Sequence, residues 1–345
     1  MKLRVGLIGL GCQWENRYRP ALRALNDRFE VRAVCDQVAL RAEQAAREFG
    51  AVGVDGFRAL VERNDVEAVL CLSEGWFGTL PILAACEAGK AVYCATPLDV
   101  DLEEGRLLKR RVEEAGVAFM AELPRRHAPA TIRLKELIAT QLGPPHLLFC
   151  HLRKPAAEKN PRPSQRINLG ETSSKVDLME LVDWCRYVVG REPTSVVGMT
   201  HHMSKQGSED YQMMSLDFST DGLGTGAVAQ ISCGHYVPGS WKEAVTFRPP
   251  AGLQVACEKG IAFVDLPANL IWFDEAGRHQ ESLDSERPIG EQLLSRFFRA
   301  VTSLVRQSSS MDDAFRGLEI VLTAAQSHRE GRRLSVAPNE SGTPH

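Results

Sequence analysis

Residues 3–36 read LRVGLIGLGCQWENRYRPALRALNDRFEVRAVCD. An apolar run from Val5 to Leu10 leads into a glycine turn. An amphipathic stretch follows, and then a second apolar run that stops at Asp36. The pattern predicts strand, tight turn, helix and parallel strand in one βαβ unit. In the turn Gly9-Leu10-Gly11, the first glycine permits the sharp bend. The second lets the backbone approach a pyrophosphate resting on the positive end of the next helix. Gly9, Gly11, Cys12 and Gln13 are the candidate phosphate-facing residues. Asp36 ends the second strand, where a carboxylate can accept hydrogen bonds from ribose hydroxyls and would repel a 2′-phosphate. NAD is therefore expected over NADP. The third position of the glycine fingerprint is Trp14, where Gly or Ala usually allows close packing of helix on strand. An indole there could crowd the pyrophosphate, so a doubly wound domain that kept the turn and lost the ligand stays open beside the dinucleotide site.

The same rhythm continues outward from this unit. Helical stretches closed by Gly50, Gly89 and Gly116 alternate with the apolar runs Val66–Ser73, Ala91–Ala95 and Val117–Ala121. Asp101 with Glu104 three residues on is a helix-start signal. Alternation of this kind implies a parallel sheet with helices on both faces. After Glu122 the pattern changes. A helix is expected over Arg133–Thr140, a strand over His146–Leu152, a long loop over Lys154–Leu169 and a helix over Lys175–Val189. Strand-like runs then recur: Ser195–His202, Tyr211–Phe218, Gly224–Ile231, Glu243–Phe247, Leu253–Glu258, Ile261–Leu266 and Leu270–Phe273. Turn signals between several of them mark antiparallel hairpins. Two helices follow, over Gly290–Val305 and Asp312–Arg329. The expected architecture is α/β: a Rossmann-type doubly wound parallel sheet over residues 1–122, an α+β domain with a large, mostly antiparallel open sheet over 123–335, and a flexible tail over 336–345.

Composition narrows the function class. The 345 residues carry 41 basic and 44 acidic side chains, a formal charge of −3, with 44% hydrophobic and 25% charged residues. This balance gives no argument for nucleic-acid or membrane-surface binding. No apolar run approaches the ~20 residues that span a bilayer. Nine cysteines, scattered and without a C-x-x-C pair, suit a reducing compartment, and a cytoplasmic location without an export segment is expected. His201 and His202 are adjacent in a strand and point to opposite faces, so they cannot share a metal. No metal site is expected.

These features resemble the Gfo/Idh/MocA oxidoreductases, the family of glucose–fructose oxidoreductase and inositol dehydrogenase. The resemblance is carried by VGLIGLG, the acid in AVCD, LAACEAGKAVYCATPL, LKRRVEEAGVAFM, PRRHAPATIRLKELI, LVDWCRYVVGREPTSV, EDYQMMSLDF and AFRGLEIVLTAAQSHREGR, in that order along the chain. It implies an NAD(P)-dependent oxidoreductase acting on a sugar, polyol or related cyclic hydroxy compound. It also implies a homodimer or homotetramer formed through the C-terminal sheet, and a small molecule as the binding partner.

The same resemblance marks departures. Relatives carry Glu-Lys-Pro where this chain has Ala95-Thr96-Pro97, and a helical histidine where it has Glu180. They carry Thr-Pro-Asn where it has Ser73-Glu74-Gly75. A threonine hydroxyl supplies no ammonium charge. Glu180 is then the candidate proton acceptor, with Thr96, Lys175 and Asp183 orienting the substrate. Ser73 and Thr96 are candidate cofactor contacts. Asp177, Glu180 and Asp183 recur three apart and so share one side of a helix. Arg125, Arg126, Arg166 and Asp177 are candidate substrate contacts. Losing the lysine and histidine positions together also suits a catalytically degenerate binding protein, or a lyase or hydrolase that keeps NAD bound without net redox.

Overall fold

A computed structural model of the chain describes residues 2–73, 77–95, 98–155, 174–202, 211–219, 225–238, 241, 243–244, 247, 251–283, 287–303 and 309–336. Two compact units emerge. The first holds residues 1–124 together with 286–316, and the second holds residues 125–285 and 317–345 apart from a short stretch near 170.

In the first unit, β1 (Leu3–Ile8), β2 (Phe29–Cys35), β3 (Val52–Gly53), β4 (Ala68–Cys71), β5 (Ala91–Cys94) and β6 (Phe119–Ala121) form one parallel sheet in the order β3-β2-β1-β4-β5-β6. The order reverses at β1, so the crevice at its carboxyl end lies at the switch point where open sheets of this type take ligands. The helices between strands are α1 (Arg19–Ala24), α2 (Ala39–Phe49), α3 (Phe57–Val61), α4 (Leu80–Glu87) and α5 (Leu102–Ala115). Their ends follow the local chemistry. The Asp101 carboxylate accepts the Glu104 N–H at 2.8 Å, and Gly50 and Gly116 close α2 and α5 in the left-handed conformation that glycine adopts without a Cβ penalty.

One helix sits where the sequence reading did not place it. α8 (Ile289–Thr302) belongs to the first unit, because Leu293, Leu294 and Phe297 are buried in the core of β1, β2 and β5. Phe297 meets Tyr93 edge-on at 5.5 Å, and Phe298 meets Phe29 at 5.7 Å. The division also falls inside α9 (Ser309–Glu330), between Arg316 and Gly317.

In the second unit, α6 (Pro129–Leu137) begins four residues earlier than expected, with Pro129 pre-setting the first helical φ. The unit's sheet runs β14-β13-β12-β11-β7-β10-β9-β8-β15. Its strands are β7 (Pro145–Pro155), β8 (Ser195–His201), β9 (Tyr211–Asp217), β10 (Val228–Val237), β11 (Leu253–Cys257), β12 (Gly260–Asp265), β13 (Asn269–Asp274), β14 (Gly277–Ser282) and β15 (Leu334–Ser335). Only β7 and β10 pair in parallel; the other pairings are antiparallel. α7 (Ser174–Val189) packs on β7 and β10.

Two expectations fail in this sheet. The run Glu243–Phe247 is no strand where it is described, since Glu243 and Ala244 are helical. β7 already has β10 and β11 as neighbours, which leaves that run no place beside it. Conversely, β14 was not read as a strand. It lies at the sheet edge, and its polar residues Arg278, His279, Gln280 and Glu281 hide the period-two signal. The loop expected over Lys154–Leu169 begins as the end of β7, and from residue 156 it lies outside the described residues, as does the tail from 337. No described helix is long and apolar enough to cross a membrane.

Candidate functional site

The first candidate region is the turn after β1. Gly9 and Gly11 have φ of +67° and +54°, which disfavours any side chain at either position. Space adds to the constraint. A Cβ on Gly11 would lie 2.5 Å from the Leu72 carbonyl oxygen, and one on Gly9 would lie 3.1 Å from the Ser73 Cβ. The turn is therefore pressed onto the end of β4, and Ser73 lies directly against Gly9.

Asp36 holds this turn from the β2 side. The Leu10 N–H donates to its Oδ2 at 2.7 Å, and the Val38 N–H donates to Oδ1 at 2.9 Å. The Gly9 N–H donates to the Cys35 carbonyl at 2.8 Å. Arg41 donates to the Gly11 carbonyl at 3.2 Å and stands 3.9 Å from Asp36 Oδ1. A cavity of about 260 Å³ opens beside Asp36, lined by Ala42, Glu43, Val54, Asp55 and Phe77 among others. It is of a size for a nucleoside base and ribose, and its carboxylates suit hydroxyls rather than a phosphate. Cys12 and Gln13 follow Gly11 and are exposed.

Trp14 does not stand in the mouth of this turn. The chain enters its helix through a wide π turn over Trp14–Tyr18. The indole is buried in the core, edge-on to Phe49 at 6.0 Å. The ring that could have crowded the pyrophosphate is buried behind the turn. Thr96 lies outside the described residues.

A second feature of this unit escaped the sequence reading. Glu122 follows β6 and is buried, and it gathers three donors from β5 and the π turn. The Tyr93 hydroxyl donates to it at 2.6 Å, and Tyr18 and Arg17 donate to it as well. Burial pushes the Glu122 carboxyl above its ordinary range, against the pull of Arg17 and the two hydroxyls. Burial and the Glu122 charge push both tyrosines well up. The sequence signal was an acid directly after the apolar run Phe119–Ala121.

The second candidate region is α7 in the other unit. Its three acids are brought to one side of the helix, and each meets a different cation. Lys154 Nζ lies 2.6 and 2.7 Å from the two Asp177 oxygens. Arg125 Nε donates to Glu180 at 3.2 Å. Arg126 grips Asp183 with both its Nε, at 2.6 Å, and its NH2, while Arg186 lies 3.5 Å away. Arg125 also stacks over Trp184 and Arg126 over Tyr187, each at 5.4 Å. Exposure separates the acids. The Glu180 side chain is 23% exposed, Asp177 6% and Asp183 3%, so Glu180 is the acid that a ligand in solution can touch.

β10 adds two residues that the sequence reading did not single out as a site. Cys233 Sγ lies 3.9 Å from Asp177 Oδ2, and His235 Nε2 lies 3.6 Å from the same oxygen. Burial, and then the Asp177 charge, push the Cys233 thiol up to about 12. Asp177, Cys233 and His235 could offer a metal three donor atoms within 4.8 Å of one another. The Lys154 ammonium already lies on both Asp177 oxygens, and the thiol stays protonated, so the donor set fits a metal poorly. Lys175 lines another cavity, of about 150 Å³, with Leu178, Met199, Gln212, Met214 and Leu322. Arg166 lies outside the described residues.

Known proteins resemble this chain over the same regions. Residues 3–123 match the Gfo/Idh/MocA family, described as an oxidoreductase family with an NAD-binding Rossmann fold. An inositol 2-dehydrogenase of Saccharopolyspora erythraea is 32% identical over 157 residues, 45% of this chain and 46% of that protein. A 1,5-anhydro-D-fructose reductase of Ensifer adhaerens is 29% identical over 244 residues, 66% of this chain and 68% of that one. The chain spans about half the length of the inositol dehydrogenases it matches. The crystal structure of an aldose–aldose oxidoreductase from Caulobacter crescentus superposes with a TM-score of 0.80 over 97% of this chain and 100% of that one, at 17% identity, a likeness of fold. Through its glycine-turn unit, residues 3–123, this chain matches the Gfo/Idh/MocA oxidoreductase family.

Proposed function

We propose that the chain is an NAD-dependent oxidoreductase acting on a sugar, a polyol or a related cyclic hydroxy compound. The observation that carries this reading is the Gly9–Gly11 turn tied to Asp36, with a nucleoside-sized cavity at its side. Gly9, Gly11, Cys12 and Gln13 would hold the pyrophosphate, Ser73 would lie below it, and Asp36 would meet the ribose. Asp36, Glu43 and Asp55 all line that cavity, and three carboxylates disfavour the 2′-phosphate of NADP. The cofactor, when bound, supplies the hydride acceptor. The substrate class is carried over from the relatives named inositol 2-dehydrogenase and 1,5-anhydro-D-fructose reductase.

In this reading the α7 side of the second unit takes the substrate. Glu180, held by Arg125, is the accessible acid and would accept a hydrogen bond from a substrate hydroxyl. Asp183 is buried under Arg126, so it would fix that arginine, and Asp177 would do the same for Lys154. Thr96 and Arg166 keep the cofactor-facing and substrate-facing roles assigned from the sequence, whereas Lys175 lines the other cavity, away from the acid row. One sheet face presents Leu147, Phe149, Val197, Met199 and Phe273, all partly exposed and, by strand register, on one side. A homodimer or homotetramer would bury them. Seven of the nine cysteines are buried, in keeping with a reducing, cytoplasmic setting.

The test is formation of NADH from NAD with inositols, aldoses and anhydro sugars, followed by absorbance. Steady NADH production with any of them supports the reading. NADH binding without turnover on all of them would favour the catalytically degenerate alternative.

A further inference from the structure

The phosphate-facing stretch of the glycine turn, Gly11 to Gln13, is short and is held at both ends. Upstream it is held at Leu10, whose N–H donates to Asp36 at 2.7 Å. Downstream it runs into the π turn of Trp14–Tyr18. We propose that the buried Glu122, at the end of β6, is a positioning residue for this phosphate-facing stretch. It anchors Arg17 and Tyr18, and through them fixes Gln13. The proposal rests on the dinucleotide reading above, and all its residues lie in the first unit.

Three observations carry it. First, one carboxylate serves three donors from two elements. Glu122 Oε1 accepts from Arg17. Oε2 accepts from the Tyr18 hydroxyl and, at 2.6 Å, from the Tyr93 hydroxyl of β5. The Glu122 side chain is 1% exposed, so water does not compete for these bonds. Glu122 is itself fixed, because its N–H donates to the Cys94 carbonyl at 2.8 Å.

Second, a bonded path runs from this carboxylate to the turn. The Arg17 N–H donates to the Gln13 carbonyl at 2.9 Å, and the Tyr18 N–H donates to the same oxygen at 3.4 Å. The two residues whose side chains meet Glu122 are therefore the two whose backbones hold Gln13.

Third, the wide helix start suits this meeting. Successive residues of an α-helix point about 100° apart. Here Arg17 and Tyr18 are successive, yet they reach the two oxygens of one carboxylate. They do so from a turn whose closing Arg19 N–H donates to the Trp14 carbonyl, five residues back. Such turns are rare and gather at functional sites. Without the carboxylate, the Arg17 guanidinium turns toward the water that 23% of its side chain already meets. The π turn then relaxes, and Gln13 shifts with it.

The test compares ligands with and without a pyrophosphate. Wild type, Tyr18→Phe, Glu122→Gln and Glu122→Ala are titrated with NADH and ADP by calorimetry, and with adenosine by ligand NMR. Glu122→Ala should weaken NADH and ADP by about tenfold. Tyr18→Phe keeps the ring that meets Tyr93 edge-on and leaves Arg17 paired, so it tests the clamp in folded protein. It should weaken both by about threefold. Glu122→Gln keeps an acceptor oxygen and should recover most of the affinity lost in Glu122→Ala. Adenosine meets only the cavity beside Asp36 and should stay within about twofold throughout. A general loosening of the unit would weaken adenosine as much as ADP, and that result would overturn the assignment. So would unchanged NADH affinity in folded Tyr18→Phe and Glu122→Ala. Amide NMR adds a readout that needs no nucleotide: the Cys12 and Gln13 resonances should shift in Tyr18→Phe, and unshifted ones would overturn the clamp. Shifted amides in a protein whose wild type binds none of the three ligands would support the clamp and sink the dinucleotide reading alone.

Discussion

The glycine turn of the first unit and the acid row of the second are built from different materials. The turn is a backbone object. Two positive-φ glycines, a carbonyl at Leu72 and three N–H donors set its shape, and the Asp36 and Arg41 side chains tie it down. The acid row is a side-chain object. Its shape comes from pairing Asp177, Glu180 and Asp183 with cations 23, 55 and 57 residues away in sequence. A backbone site is fixed by one βαβ unit and the strand end it rests on, whereas a charge-paired site depends on the whole unit folding correctly. The first should resist most side-chain changes and fail at glycine. The second should fail wherever one charge of a pair is removed.

The largest effect should come from Asp183→Asn. It removes the buried carboxylate that Arg126 grips with two donors, while Arg186 keeps Glu192, and unfolding by denaturant should show a loss of about 3 kcal/mol. A silent substitution would mean that the acid row is not held by its charges. Gly11→Ala comes next. The αL strain and the approach to Leu72 should remove about 2 kcal/mol of stability. NADH affinity should fall at least about tenfold, an effect expected from backbone misplacement. Asp36→Ala should reduce the preference for NADH over NADPH by about tenfold, or ~1.4 kcal/mol. Arg41 then stands beside the turn with its nearest carboxylate removed. Isothermal titration with both nucleotides measures it, and an unchanged preference would transfer the discrimination to Glu43 and Asp55.

The smallest effect concerns Glu122. Burial raises its carboxyl in the folded state, so the native state binds more protons than the unfolded chain between the ordinary carboxylate range and the raised value. Stability contributed by this group is fully present below the ordinary value and is lost as pH rises through the raised one. Denaturation of the wild type across that window should therefore show a falling slope that Glu122→Gln lacks. Equal slopes would mean that Arg17, Tyr18 and Tyr93 cancel the burial.

The contrast also explains what could be read from the chain in advance. The strand–turn–helix repeat, the glycine closures at Gly50, Gly89 and Gly116 and the Asp101 cap are local, and each appears where its residues predict it. The Asp177–Glu180–Asp183 face followed from helical spacing alone. Its partners did not, because Lys154, Arg125 and Arg126 approach through tertiary packing that no local pattern encodes. His235 was invisible for the same reason. It is a lone histidine in a strand until β10 lies parallel to β7 and α7 covers both. Where Trp14 goes was left open by the sequence because the fingerprint assumes an ordinary helix start, whereas the π turn buries the indole against Phe49. α8 was assigned by order along the chain, although its apolar face fits the first core.

The most direct test is equilibrium titration of the folded protein with NADH and with NADPH, following tryptophan fluorescence and energy transfer to the nicotinamide. Trp14 packs behind the turn and serves as a local donor. A working dinucleotide site at Gly9, Gly11 and Asp36 predicts micromolar NADH binding, with NADPH at least about tenfold weaker. Binding of neither nucleotide by folded protein would contradict it and leave the turn a structural remnant.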